Sequence, residues 1–474
     1  MKKKIGLTAV IAAGLLLAGL HPFGWTFLSW FAFLPFFLLF FDPSVRRRDL
    51  AAAAFLTGAI YYGIGLYWLF YFKIWAYFFV FAISAPVFAG YFLLLGLMSN
   101  RGQAGKYCLS PVESSKNEIS RSFGARNDTG EILSAAFLWV LIDKIYALTP
   151  LGAISVEVPF YGPLAFLQVA SIGGLGPLAG IITGLNAAIA CRIKTHSRVA
   201  LIWIFIFASA LAGIYVWGSR RIGAETLGSL HAVLVQHNLP VSGAWAMEHP
   251  IYIRSQYREL ALKAAARRPD IIIFPLFDFP EDILRQPSFF LGLAQETKSY
   301  ILVAAHIPKT PGGKIMRDGF INTAVLFSPQ GKIAGKYQAV HAPPFGQAPE
   351  VTQNEYGIME TPFGRLGILL CFEDSIPSVA KRAVKEGAQI LIALSNPGFF
   401  TATHMPYYHL MQDRLRAIES SRWVLRVSAN GYSAAIDPRG RWIQKSRLNQ
   451  PELLEVQANL ENRVTFYDQT PDWF

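Results

Sequence analysis

The stretch GRLGILLCFEDSIPSVAKRAVKEGAQILIALSN, residues 364–396, decides how the second half of the chain folds. Its apolar run 367–370 leads straight into Cys371. Glu373 follows two residues later, Pro377 opens an amphipathic stretch that ends near Ala388, and a second apolar run closes on Ser395 and Asn396. Short apolar runs of this kind read as strands buried on both faces, and a proline is at home in the first turn of a helix. The segment therefore reads as strand, turn, helix, strand. A cysteine at a strand end beside a helix start is well placed for a nucleophile, because backbone N–H groups there lower a thiol pKa and can face an oxyanion. Taken alone, a cysteine at a buried strand end serves as readily as a small core hydrophobe.

Working outward, the same alternation extends across 222–474. The runs 230–236, 270–275, 300–306, 321–327, 367–371, 389–395 and 423–429 read as strands, and 377–388 and 408–422 as amphipathic helices. This is an α/β domain of about 250 residues, long enough to bury a full core. Cys371 is its only cysteine, so it holds no internal disulfide. His306, His341, His404 and His409 match no usual zinc spacing, and neither a metal nor a cofactor is expected.

The first half, 1–221, is of another kind. The whole chain has 474 residues, 53% of them hydrophobic, with mean hydropathy +0.34. Almost all of the apolar excess over an ordinary soluble protein lies before Arg220. Runs of about 18 or more apolar residues match a hydrocarbon core roughly 30 Å thick. Seven candidate spans result: 5–20, 26–41, 50–72, 75–98, 132–148, 163–191 and 198–218. The first, MKKKIGLTAVIAAGLLLAG, also has the build of a signal peptide, without a clear cleavage site. Asp143 and Lys144 fall in the fifth span, where ionisable groups are functional or lie at a helix end. The polar stretch 99–131 reads as a flexible cytoplasmic loop.

Charge then assigns direction. Residues 1–221 hold 18 lysines and arginines against 8 acidic residues; residues 222–474 hold 25 against 23. The basic excess thus sits beside the spans, where it sets topology, and not on the globular half, where a nucleic-acid surface would need it. With the N-terminus inside, the inner loops carry 14 basic residues and the outer ones only Lys73, Arg220 and Arg221. An odd number of spans places 222–474 outside the cytoplasm.

Five segments carry a resemblance. Val235-Gln236-His237-Asn238-Leu239-Pro240 with Trp245, Tyr337 through Phe345-Gly346-Gln347, Cys371-Phe372-Glu373 with Pro377, Arg414 to Glu419 with Arg422, Asn430 and Gly431, and the membrane stretch 163–190 stand in one order. In that order they resemble the bacterial apolipoprotein N-acyltransferase family of the carbon–nitrogen hydrolase (nitrilase) superfamily. The resemblance implies a helical membrane bundle joined to an extracytoplasmic α-β-β-α sandwich in the bacterial inner membrane. It implies acyl transfer from a phospholipid donor, through a cysteine thioester, to the N-terminal amine of a lipoprotein. Cys371 would be the nucleophile and Glu373 a supporting group. Trp245, Phe345, Gly346 and Gln347 would meet substrate.

The sequence also departs from the family's pattern. The family's general base follows Phe-Pro, yet Phe274-Pro275 is followed here by Leu276; Ala339 stands at the family's lysine, and Gln347 at a further glutamate. The family usually ends in an eighth span, and the sequence stops at Phe474. A degenerate relative that binds lipid or lipoprotein, or assembles with an active partner, is the alternative. Asp278, Glu281 and Asp282 lie just past Leu276, with Glu281 able to swing inward as a substitute base. Lys336 lies three residues before Ala339, a shift that reverses the side-chain face.

Overall fold

The computed structural model describes residues 2–20, 24–71, 73–99, 116–147, 162–223, 228–240, 242–309, 319–341 and 357–471. The chain forms two compact units, one of Met1–Val169 with Gly173–Arg220, the other of Ala170–Ile172 with Arg221–Phe474.

In the first unit, α1 (Lys2–Ala18), α4 (Arg47–Gly65) and α5 (Ile74–Met98) fall on expected spans. The second expected span is instead two short helices, α2 (Thr26–Ser29) and α3 (Leu34–Phe40), with Pro35 in the first turn of α3. Proline is tolerated there because the first N–H groups of a helix lack intrahelical partners anyway. The sixth is broken likewise, into α7 (Leu164–Leu167), α8 (Ala170–Gly173), most of which is counted with the second unit, and α9 (Gly176–Thr195). Gly174, at φ +67°, makes the break. The expected loop 99–131 is corrected in its second part, because α6 runs unbroken from Lys116 to Ala147. Polarity argues for solvent, not against helix, and Lys, Glu, Arg and Ala are good helix formers. Asp143 lies about one turn before the end of α6 and is buried. The last helix of the unit is α10 (Arg198–Ile222). Among the described residues, α5, α9 and α10 are long and apolar enough to cross a membrane.

These helices pack through aromatic rings and one very close approach. Phe33 just before α3, Tyr91 of α5 and Trp139 of α6 meet edge to face, with ring centres 4.5–6.1 Å apart. Tyr91 donates its hydroxyl to the Ala135 carbonyl at 2.9 Å. Helices α4 and α5 touch at Gly58, where a Cβ would stand 2.2 Å from the Ala85 carbonyl oxygen. Small residues let membrane helices approach in this way.

The second unit is built on two six-stranded sheets. The first has the order β12-β1-β2-β3-β4-β5, with β1 (Leu230–Gln236), β2 (Ile271–Phe277), β3 (Tyr300–Pro308), β4 (Phe320–Ser328), β5 (Lys332–Gln338) and β12 (Glu452–Ala458). The second has the order β11-β10-β9-β8-β7-β6, with β6 (Ile358–Thr361), β7 (Gly364–Leu370), β8 (Ile390–Ser395), β9 (Val424–Ser428), β10 (Ala434–Ile436) and β11 (Trp442–Lys445). The central strands β1-β2-β3 and β7-β8-β9 are parallel, and the flanking pairs antiparallel. Parallel neighbours need crossovers. α12 (Pro250–Ala265) and α13 (Ser288–Thr297) supply them in the first sheet, and α14 (Pro377–Lys385) and α15 (Met405–Ser420) in the second.

Alternation along each strand sends one set of side chains between the sheets and the other under the helices. Leu234, Ile273, Leu276, Leu302, Ala324, Tyr337 and Ala339 meet Leu366, Ile368, Leu370, Ile392 and Leu425 in one apolar layer. Val233, Ile272, Phe274 and Val303 pack under Ile253, Tyr257 and Phe290; Leu369, Leu391 and Val424 pack under Val379, Ala383 and Ala417. The result is an α-β-β-α sandwich. All seven expected strands and both expected helices are present, with edges differing by at most three residues. Strands β5, β6, β10, β11 and β12 and helices α12 and α13 escaped the sequence reading.

Gly58→Val should destabilise the first unit by about 1–3 kcal/mol or more, as overpacking does. Thermal unfolding of the detergent-solubilised protein checks this. A melting curve that overlays the unsubstituted one would mean α4 and α5 do not meet there.

Candidate active site

Strand β7 ends at Leu370, and the chain turns through a 3₁₀ segment, Cys371–Ser375, into α14. Cys371 takes φ +55°, the left-handed region that a non-glycine residue enters at a cost of roughly 1–3 kcal/mol. Its side chain packs against the apolar layer between the sheets. Burial, with Asp374 nearby, pushes the thiol up to about 12, although the Phe372 N–H and Arg426 oppose this. At neutral pH Cys371 is therefore a thiol, and its use as a nucleophile demands a base.

Glu373 is fully buried. One carboxylate oxygen, Oε1, accepts from the Tyr337 hydroxyl at 2.9 Å and from the N–H groups of Val340 at 2.8 Å and His341 at 3.2 Å. The other, Oε2, accepts from Leu370 N–H at 2.9 Å. Tyr337 belongs to the first sheet and Leu370 to the second, so one carboxylate ties both sheets to the cysteine turn. Burial raises its pKa to about 7, against the lowering effect of these four donors. Glu373 thus braces the cysteine turn, and among the described residues no arginine pairs with it.

A buried ionic cluster holds the turn from the other side. Arg426 of β9 donates to Asp374 at 2.8 Å, to Asp413 of α15, and to Ser395 Oγ at 2.8 Å. His409 of α15 meets Asp374 through Nδ1 at 2.8 Å. Burial disfavours the Asp374 carboxylate, yet His409 and Arg426 hold it below the usual range; burial pushes Asp413 up to about 7 in spite of Arg426. His409 is thereby neither a surface nor a loop residue. The one signal for this cluster in the sequence was Arg426 inside an apolar strand, since a buried charge must be paired.

The other candidate positions fall as follows. Leu276 and Ala339 are both buried in the apolar layer against which Cys371 packs. Glu281 does not turn inward; it is paired with Arg254 of α12, as Asp282 caps the N–H groups of Leu284 and Arg285. Lys336 is exposed while its neighbour Tyr337 is buried, so the two face opposite ways. Trp245 lies in a short helix, α11 (Gly243–Glu248), its ring stacked on His249 at 4.5 Å and packed against the outer cluster of the first sheet. Phe345, Gly346 and Gln347 lie outside the described residues. No group of three or more His, Cys, Asp or Glu fit to hold a metal occurs among the described residues.

Asp278 has a role the sequence did not single out. It follows β2 directly, and its carboxylate is hydrogen-bonded to His306 Nδ1 of β3. The side chains are 13% and 14% exposed, so the pair is partly shielded from water.

A cysteine at a strained strand end in an α-β-β-α sandwich defines the carbon–nitrogen hydrolase class. Residues 260–465 match the family described as carbon-nitrogen hydrolase, and residues 12–188 match the apolipoprotein N-acyltransferase N-terminal domain. The chain belongs to the apolipoprotein N-acyltransferase family. It is 25% identical to an apolipoprotein N-acyltransferase of Geobacter metallireducens, with 72% of this chain and 71% of that one covered. To those of Gloeobacter violaceus and Synechocystis it is 25% and 21% identical, with 99% and 95% of this chain and 91% and 94% of theirs covered. Among solved structures, a carbon–nitrogen hydrolase of Helicobacter pylori is similar with 19% identity and a TM-score of 0.39, over 48% of this chain and 87% of that one. Saccharomyces cerevisiae Nit3, of the nitrilase superfamily, is similar with 19% identity and a TM-score of 0.38, over 50% and 93%.

Alkylation of Cys371 by iodoacetamide should be slow at pH 7 and rise about tenfold per pH unit toward pH 11, because only the thiolate reacts. Peptide mass mapping of the labelled residue reads this. A plateau already reached below pH 8 would refute the raised thiol.

Proposed function

We propose that the chain transfers an acyl group from a phospholipid, through a thioester on Cys371, to the N-terminal amine of a lipoprotein. The observation that carries this reading is the turn at Cys371, strained, braced by Glu373, and belonging to a family whose relatives bear that activity in their names. A covalent intermediate divides the transfer into two easier steps and lets two substrates use one site in turn. Trp245, Phe345, Gly346 and Gln347 are assigned to substrate contact. The chemistry is ester and thioester exchange and calls for no cofactor. A membrane-embedded first half suits two lipidic substrates, and no nucleic acid enters.

The first part, 1–221, is assigned to the bacterial inner membrane with about seven spans, and 222–474 to its outer side. The 14-to-3 bias of basic residues between inner and outer loops supports this orientation. A reporter active only outside the cytoplasm, fused after Phe474, should be active. Activity confined to a cytoplasmic reporter at that point would reverse the assignment.

One observation favours a second reading, in which the protein binds lipid or lipoprotein without turnover. Leu276 and Ala339 put methyl groups where the family has its base and its lysine, beside a thiol raised to about 12. A base contributes about 10²–10⁴-fold and an oxyanion donor about 10²–10³-fold. Intact mass measurement of the protein purified with phospholipid separates the two. An acyl mass absent from Cys371→Ser supports transfer. No acyl mass, beside a relative that acylates under the same conditions, would leave only binding. Leu276→Glu with Ala339→Lys should speed acylation.

A further inference from the structure

The missing base leaves a question that the neighbouring layer of the sandwich answers. Leu276, Ala304 and Ala324 come from β2, β3 and β4, Ala339 directly follows β5, and all four belong to the apolar layer that Cys371 touches. Leu276 is in register with Ala304, and Ala304 with Ala324. Side chains alternate between the two faces of a strand, so residues two places on share the face, about 6.6 Å further along. Those residues are Asp278, His306 and Asn322, and beyond Ala339 comes His341. The apolar layer is thus followed, on the same face and at the same end of the sheet, by a polar one.

Two of its members are already organised. Asp278 holds His306 through Nδ1, and this fixes the ring and leaves Nε2 as its other proton-carrying position. Phe320 packs on the ring at 4.2 Å and steadies it further. Gly243, at the start of the helix that carries Trp245, would place a Cβ 3.5 Å from the Asp278 carboxylate. The pair therefore sits beside a segment assigned to substrate contact. Asn322 stands directly opposite His306 in the β3–β4 ladder, and its Oδ1 is buried without a hydrogen-bond partner. A buried acceptor without a partner is unfavourable. It is suited to an incoming N–H donor such as the acceptor amine.

We propose that His306, oriented by Asp278, is the general base of this chain, one strand over and one pleat along the sheet from the position where the family has its glutamate. The inference rests on the acyl-transfer reading above. In the first half-reaction His306 Nε2 takes the proton of Cys371 Sγ. Sγ bonds to the ester carbonyl carbon, the C–O bond of the phospholipid breaks, and the leaving alkoxide receives the proton from Nε2 as lysophospholipid. In the second, the lipoprotein amine bonds to the thioester carbonyl carbon and gives a proton to Nε2. The C–S bond then breaks, and the thiolate recovers the proton, leaving an amide and free Cys371.

The test follows thioester formation on the full-length protein in vesicles of phosphatidylethanolamine and phosphatidylglycerol, quenched and read by intact mass. His306→Ala should slow formation about 10²–10⁴-fold. Added imidazole should restore part of the rate, a rescue that a merely structural ring would not show. Asp278→Asn should slow it less, and the double variant should be no slower than His306→Ala alone. Leu276→Glu placed in the His306→Ala background should also recover acylation. A wild-type rate in His306→Ala overturns the proposal, and so does a slow rate that neither imidazole nor Leu276→Glu improves. No acyl adduct on the unsubstituted protein would instead overturn the acyl-transfer reading itself, and this inference with it.

Discussion

Everything near Cys371 depends on where the Glu373 carboxylate finds its donors. It is buried, so each of its oxygens must be hydrogen-bonded or the fold loses several kilocalories per mole. Its four donors come from Tyr337, Val340 and His341 at the end of the first sheet and from Leu370 at the end of the second. Moving either sheet would break some of them. The same carboxylate reaches back to the residue before the cysteine, so the requirement that holds the sheets together also fixes the turn. The left-handed backbone of Cys371 persists because the surroundings over-determine it.

A second constraint acts behind the first. Arg426 lies in the middle of β9, in a strand otherwise apolar, and is fully buried. It can be there only because Asp374, Asp413 and Ser395 converge on it. Asp374 is the residue after Glu373, so the two neighbouring acids brace the turn from opposite sides, one toward the strands and the other toward α15. Neither has an open face toward substrate. They build the site, and the chemistry needs other groups.

The chemistry of the site is therefore set by a contrast between adjacent layers. Leu276, Ala304, Ala324 and Ala339 make a dry floor beside the thiol, which burial drives to about 12. Two residues further along the same strands the floor gives way to Asp278, His306 and Asn322. A strand repeats its facing every second residue, so a polar function lost at one position can stand at the next one on that face without rebuilding the sheet.

Much of this was legible in the sequence for physical reasons. Apolar runs bounded by turn residues mark buried strands, and so β1, β2, β3, β4, β7, β8 and β9 were all expected where they lie. Long apolar segments and the basic bias of their loops gave the first half its membrane character. The breaks at α2–α3 and α7–α9 were hidden, because composition reports hydrophobicity and not where Gly174 or Pro35 interrupts a helix. The polar stretch that forms the start of α6 was missed because polarity speaks only of solvent. Cys371 and Glu373 were found from their place at a strand end. The partners of Glu373, the ionic cluster at Arg426 and the Asp278–His306 pair were not, since Tyr337 lies 36 residues from Glu373, Arg426 lies 52 from Asp374 and His306 lies 28 from Asp278. Sequence pattern determined the elements and the place of Cys371 at a strand end. Only the pairing of strands in register decided which groups surround it, because register is a property of two sheets folded together and not of any one segment.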